Sequence, residues 1–259
     1  MIEAKEFAKW FRPLRPRPEY RHRLIIFPHA GGSTATFREW PTSLPETFDV
    51  RLLQLPGREN RYREGYITNW CEIVDKAASA IAAADLVPLV LFGHSMGSCL
   101  AFETARQLTR VHGIRPAAVI VSGRAAPQEP VRAPLISHLD DWDLMVRLSE
   151  LYGGIPAEVF ENRELLAIMA RTLRADMTLV EGYTFVEESP LTCPLGAFGG
   201  TEDAWVNRDE LLLWREQTSS DFISEQFEGD HFYFRSGSVR VRFMSQLIRL
   251  IQHSLRGAG

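Results

Sequence analysis

Short apolar runs recur along the chain, separated by segments in which apolar positions return every three or four residues. The runs at 23–27, 48–55, 86–92, 117–123, 193–200 and 222–227 read as strands, several of them closed by Pro or Gly. Between them, 67–84 carries Trp70, Ile73, Val74, Ala77 and Ile81 on one helical face. Residues 36–44 and 98–111 also read as helices, and Phe243, Leu247, Leu250 and Ile251 mark an amphipathic C-terminal one. Such alternation predicts an α/β fold, a mostly parallel central sheet flanked by helices on both faces. No repeat or low-complexity linker divides the chain, so 1–259 reads as one domain.

Residues 124–190 break the alternation. Pro127, Pro130 and Pro134 open the segment, and a helix over 139–152 follows with Leu139, Trp142, Met145, Leu148 and Tyr152 on one face. Gly153-Gly154-Ile155-Pro156 stops it, and 163–182 is a second helix with a stripe of Leu166, Met169, Leu173, Met177 and Val180. A mainly helical insertion between two strands predicts a lid over the carboxyl edge of the sheet. Most of these side chains are expected to pack the lid onto the sheet, with a few left to line an apolar channel. Met96, Met145, Met169 and Met177 suit such a channel, because methionine adapts its shape.

Composition narrows the class. Hydrophobic residues make up 45% and charged residues 24%, enough for a substantial core in a water-soluble protein. A net charge of −4 argues against nucleic acid as the main partner. The first residues are locally basic but lack the apolar stretch of a signal peptide, and no membrane-length apolar run occurs. Cys71, Cys99 and Cys193 are scattered, without metal spacing, and a reduced cytoplasmic setting is the plain expectation. No metal or organic cofactor is implied.

Chemistry enters at Gly93-His94-Ser95-Met96-Gly97, between the 86–92 strand and the 98–111 helix. This is G-x-S-x-G in the setting a nucleophile elbow requires. A serine on so sharp a turn needs small neighbours, and the turn aims the helix N-terminus at any oxyanion formed there. A base must come from elsewhere. His231 follows the 222–227 strand and sits in a loop able to reach over the sheet edge. His112 reads as a helix-end residue, His138 as a cap or surface group and His253 as a solvated helix residue.

Asp203 follows the 193–200 strand, precedes His231 and can hold the imidazole tautomer. Glu202 competes by proximity. Asp230 competes by adjacency to the histidine, although neighbouring side chains on an extended loop diverge. Finally, the first strand ends in Pro28-His29-Ala30-Gly31-Gly32, a glycine-rich turn that offers the Ala30 amide beside that of Met96 as an oxyanion hole. The ring of His29 is expected to pin this loop.

Five blocks carry a family resemblance: 27–32 (Phe-Pro-His-Ala-Gly-Gly), 55–59 (Leu-Pro-Gly-Arg-Glu), 93–97, 173–176 (Leu-Arg-Ala-Asp) and 229–232 (Gly-Asp-His-Phe). Together they resemble the free-standing type II thioesterases of polyketide synthases and nonribosomal peptide synthetases, over nearly the whole chain. The resemblance implies an α/β-hydrolase fold and hydrolysis of acyl thioesters held on the phosphopantetheine arms of acyl or peptidyl carrier proteins. It further implies an editing role, the removal of aberrant groups that stall an assembly line. Asp230 departs from the family, which often has glycine there.

Residue pattern alone does not separate thioester from oxyester, so a small-molecule carboxylesterase or lipase remains an alternative. A non-catalytic binding protein of the same fold is another, disfavoured by the joint presence of Ser95, Asp203 and His231. Arg58, Arg61 and Arg63, interspersed with Glu59 and Glu64, read as a solvated loop, with a docking patch for an acidic carrier protein as the alternative.

Overall fold

The structure, a computed structural model, describes residues 2–130, 132, 134–235 and 237–256. Seven strands form one sheet in the order β1-β3-β2-β4-β5-β6-β7. These are β1 (Phe11–Pro13), β2 (His22–Phe27), β3 (Phe48–Leu53), β4 (Leu89–His94), β5 (Ala118–Ser122), β6 (Leu195–Gly200) and β7 (Phe222–Phe227). All neighbours run parallel except β1, which pairs antiparallel with β3. Six of the strands answer the six apolar runs. β1 and the helix α1 (Ile2–Trp10) before it had no counterpart in the reading, because a three-residue edge strand shows no periodicity.

Both faces of the sheet are buried at its centre, and alternate residues of the central strands feed two separate cores. Ile25, Phe27, Leu89 and Leu91 point to the side of α4 (Trp70–Ala82) and α5 (Met96–His112). Leu24, Ile26, Val90 and Phe92 point to the side of α10 (Gly237–Arg256) and of the short helices α2 (Thr34–Phe37) and α3 (Trp40–Ser43). The period of two along a strand thus explains why these runs are apolar throughout. Helix ends follow local chemistry: Asn69 caps α4 by accepting the Glu72 N–H, and Gly113 closes α5 in the left-handed conformation.

Between β5 and β6 the chain forms α6 (Asp141–Tyr152), α7 (Ala157–Glu161) and α8 (Arg163–Gly182). Asp140 caps α6, while His138 is exposed. A last short helix, α9 (Arg208–Leu212), follows β6.

Topology fixes where a site forms. From β2 the chain moves outward to β3, then returns to place β4 on the other side of β2. The loops leaving β2 and β4 therefore diverge, opening a crevice at the carboxyl ends of the strands. The elbow and the glycine turn at 28–33 are those two loops.

Candidate active site

Ser95 links β4 to α5 with φ 55 and ψ −118, and is one of two non-glycine residues with positive φ among those described. That strained backbone is held from three sides. The Ser95 N–H donates to Ser122 O at 2.7 Å. The buried Ser98 hydroxyl lies within hydrogen-bond distance of Gly93 O and Ser122 O, its one proton shared between them, and accepts the Ser122 N–H. Close packing does the rest. A β-carbon on Gly97 would lie 1.9 Å from Phe27 O, and one on Gly93 2.0 Å from Gly97 O. Only glycine fits, which is the physical reason for the motif.

His231 and Asp203 come together across the ends of β6 and β7. The His231 Nδ1–H donates to Asp203 Oδ2 at 2.8 Å, and Asp203 Oδ1 accepts the Trp205 N–H at 2.9 Å. The Asp203 side chain is fully buried. Its rivals lie elsewhere: Glu202 is exposed, and exposed Asp230 accepts the Phe232 N–H within its own turn. With Nδ1 engaged, His231 keeps Nε2 for the cavity that it lines together with Ser95 and Ala30. Met96 opens α5, where a helix leaves its N–H groups without intrahelical acceptors.

The cavity holds about 520 Å³. Leu148 and Tyr152 of α6 and Met169, Leu173, Met177 and Val180 of α8 give it an apolar wall. Of the four methionines assigned to such a channel, Met96 and Met145 are instead packed into the core.

Two buried histidines lie near His231. Burial first, then the nearby Arg235 and His231, push the pKa of His29 down to about 3. Burial likewise takes His94 well below the ordinary value. Both rings are therefore neutral near pH 7. His94 packs on His231 with ring centroids 4.9 Å apart, and its Nδ1 meets the Ser122 hydroxyl, itself bonded to Tyr233. His29 sits against Phe37, Phe232 and His94, so its ring pins the turn that bears Ala30.

A serine on a strained turn, a histidine fixed by a buried carboxylate and an apolar cavity beside them make an arrangement suited to acyl transfer. A family model for the thioesterase domain matches residues 22–255. The chain belongs to the thioesterase family. The gramicidin S biosynthesis protein GrsT of Aneurinibacillus migulanus is 36% identical, covering 97% of this chain and 98% of that protein. Thioesterase PikA5 of Streptomyces venezuelae is 35% identical, over 86% of this chain and 79% of that protein. Among solved structures, the type II thioesterase YbtT of the yersiniabactin pathway superposes with a TM-score of 0.84 at 31% identity. It covers 95% of this chain and 99% of YbtT. A serine-to-alanine mutant of YbtT matches equally well in fold, with a TM-score of 0.84. By these likenesses the chain is a thioester hydrolase of the type II class.

In this thioesterase the arginine cluster departs from the reading of a solvated loop. Arg61 is buried, donates to Gln54 O at 2.7 Å, pairs with Glu64 and lies over the Trp10 ring of α1. Arg58 forms a two-pronged pair with fully buried Asp176 at 2.6 and 2.7 Å. Arg63 alone stays exposed. Arg58 and Arg61 are thus clamped inside the protein, where the reading of a solvated loop had placed them in water. Sequence reasoning also passed over Ser122, Tyr233 and Trp205. None has a motif around it; each matters only through contacts that the fold creates.

No described helix is long and apolar enough to cross a membrane.

Proposed function

We propose that this thioesterase hydrolyses acyl thioesters carried on the phosphopantetheine arms of acyl or peptidyl carrier proteins, clearing stalled or aberrant groups from a biosynthetic assembly line. The observation that carries the proposal is the His231–Asp203 pair beside Ser95 at one apolar cavity, in a chain related along nearly its whole length to type II thioesterases. His231, oriented by Asp203, takes the proton of Ser95 as its oxygen attacks the thioester carbonyl. The amides of Ala30 and Met96 receive the charge that develops on the carbonyl oxygen. The thiol departs with the proton held by His231, and water activated by the same ring then releases the acid and restores Ser95. The helices between β5 and β6 serve as the lid and supply the wall against which the acyl chain lies. The free thiols of Cys71, Cys99 and Cys193 fit a cytoplasmic enzyme.

The test compares one acyl group on a carrier protein, on a pantetheine-type thiol and on an oxyester, with Ser95→Ala as control. The expected result is strong preference for the carrier-bound thioester, abolished by the substitution. Preference for the oxyester would replace this reading with that of a carboxylesterase. Turnover surviving in Ser95→Ala would remove the mechanism.

A further inference from the structure

Two of the family blocks, 55–59 and 173–176, have no part in the reaction described above, yet the fold brings them together beneath the turn that bears Ala30. Asp176 lies on α8, the helix that lines the acyl cavity with Met169, Leu173 and Met177. Its carboxylate is fully buried. One oxygen accepts the Gly31 N–H at 2.7 Å and an Arg58 N–H at 2.7 Å; the other accepts a second Arg58 N–H at 2.6 Å. Gly31 directly follows Ala30, and Gly32 closes the turn by donating its N–H to His29 O at 2.8 Å. Ala30 is therefore bracketed by a turn on one side and by a carboxylate from a distant helix on the other.

The rest of the 55–59 block grips the same turn. Glu59, the second described non-glycine residue with positive φ, accepts the N–H and the hydroxyl of Thr34. Tyr66, further along that loop, meets Thr172 of α8 at 3.1 Å. α8 also touches the turn directly. A β-carbon on Gly31 would lie 2.7 Å from Leu173 Cδ2, so a side chain there would have to push Leu173 aside.

We propose that Asp176 is a positioning residue for the oxyanion hole: from the helix that walls the acyl cavity, its carboxylate fixes the Gly31 amide and with it the direction of the Ala30 N–H. This deepens the reading above and rests on Ala30 being an oxyanion donor. The consequence is a coupling between acyl recognition and chemistry. An acyl group that displaces α8 pulls the acceptor away from Gly31 and loosens a donor whose value depends on being fixed in advance. Ill-fitting acyl chains are then disfavoured in kcat as well as in binding. Arg58 pairs with the carboxylate in two prongs and so aims both of its oxygens.

Removing Asp176 alone would leave a buried guanidinium without a partner and confuse folding with function. Two double variants avoid this. Arg58→Met with Asp176→Asn removes the ion pair but keeps an oxygen for Gly31. Arg58→Met with Asp176→Leu removes the pair and the acceptor. Both lose the salt bridge equally, so their difference reads the Gly31 hydrogen bond. Relative to the asparagine variant, the leucine variant is expected to lose about 10- to 100-fold in kcat, with KM within about twofold and an equal Tm. Equal kcat in the two, or a difference confined to KM, would overturn the proposal.

Hydrogen exchange at the Gly31 amide gives a second reading in the unaltered protein, needed if the leucine variant does not fold. Gly31 lies at the surface, and slow exchange of its amide is expected from a persistent bond to Asp176, whereas exchange at the rate of a free loop overturns the proposal. Failure of the underlying mechanism shows differently, as turnover that persists in Ser95→Ala.

Discussion

The carboxyl edge of the sheet and the helical segment at 124–190 meet at one cavity but are built by different means. At the edge, His94 and Ser122 are fully buried and Tyr233 nearly so, tied by backbone ladders and a continuous hydrogen-bonded chain. Across the cavity, Trp142 is 52% and Ile168 55% exposed. That segment is held by separate polar tethers. Arg174 donates to Ser137 O, Leu139 O and Asp141; Glu181 accepts the amides of Ile136 and Ser137; Trp70 donates to Leu179 O. A surface held by backbone geometry tolerates no substitution, whereas one held by single side chains yields a part at a time. On the proposed mechanism, reaction chemistry lies on the rigid side and substrate fit on the adjustable one.

The largest effect is expected at the rigid edge. Asp203→Asn leaves the shape of the site but offers His231 the wrong partner, so kcat should fall about 10⁴-fold with the fold intact. A loss of less than tenfold, measured by steady-state kinetics with a Tm check, would unseat Asp203 as the orienting acid. Next, Gly97→Ala drives a methyl group into the Phe27 carbonyl and should cost at least about 3 kcal/mol in chemical denaturation. A mild effect there would mean that the elbow is less rigid than its packing implies.

The buried histidines give the edge a pH signature. His29 is neutral in the fold down to about pH 3, whereas in the unfolded chain it takes a proton below about 6.5. The unfolded state therefore binds more protons between these values, and stability falls as the pH drops through that window. From pH 6.5 to 5 the loss is about 2 kcal/mol for His29. The Tm of His29→Asn should accordingly change less across this range than that of the unaltered protein, and an equal change would show that His29 is not the sensor.

On the adjustable side the effects are smaller. Arg174→Ala removes three tethers at a partly exposed position and should cost about 1–2 kcal/mol in denaturation, with kcat largely kept. Ile168→Ser, at the exposed rim of the cavity, should change stability by under about 0.5 kcal/mol while altering the preferred acyl length. If Ile168→Ser destabilised the protein more than Gly97→Ala, the contrast between the two regions would be lost.

Much of the rigid edge was legible because its causes are local. The apolar runs that became β2, β4 and β5 are continuous since both faces of the sheet are covered there, and the 163–182 helix matches α8 from end to end. The elbow announces itself because its glycines answer a clash within a few residues and with the neighbouring strand. The arginine cluster was misread for the opposite reason. The partner of Arg58 lies 118 residues away, and nothing near Arg58 marks it as buried. The sorting of methionines between core and cavity was hidden likewise, since Met145, Met169 and Met177 all sit on apolar stripes.

By itself the sequence determined the alternation of strand and helix, the sharp turn at Ser95 and the order of serine, acid and histidine along the chain. These depend on side-chain period and backbone sterics, which act over a few residues. Only the tertiary structure decided that Asp203, and not Glu202 or Asp230, meets His231, and that Arg58 and Asp176 close under Gly31. Those choices turn on which side chains arrive at one point in space, and on the cost of burying a charge without its partner.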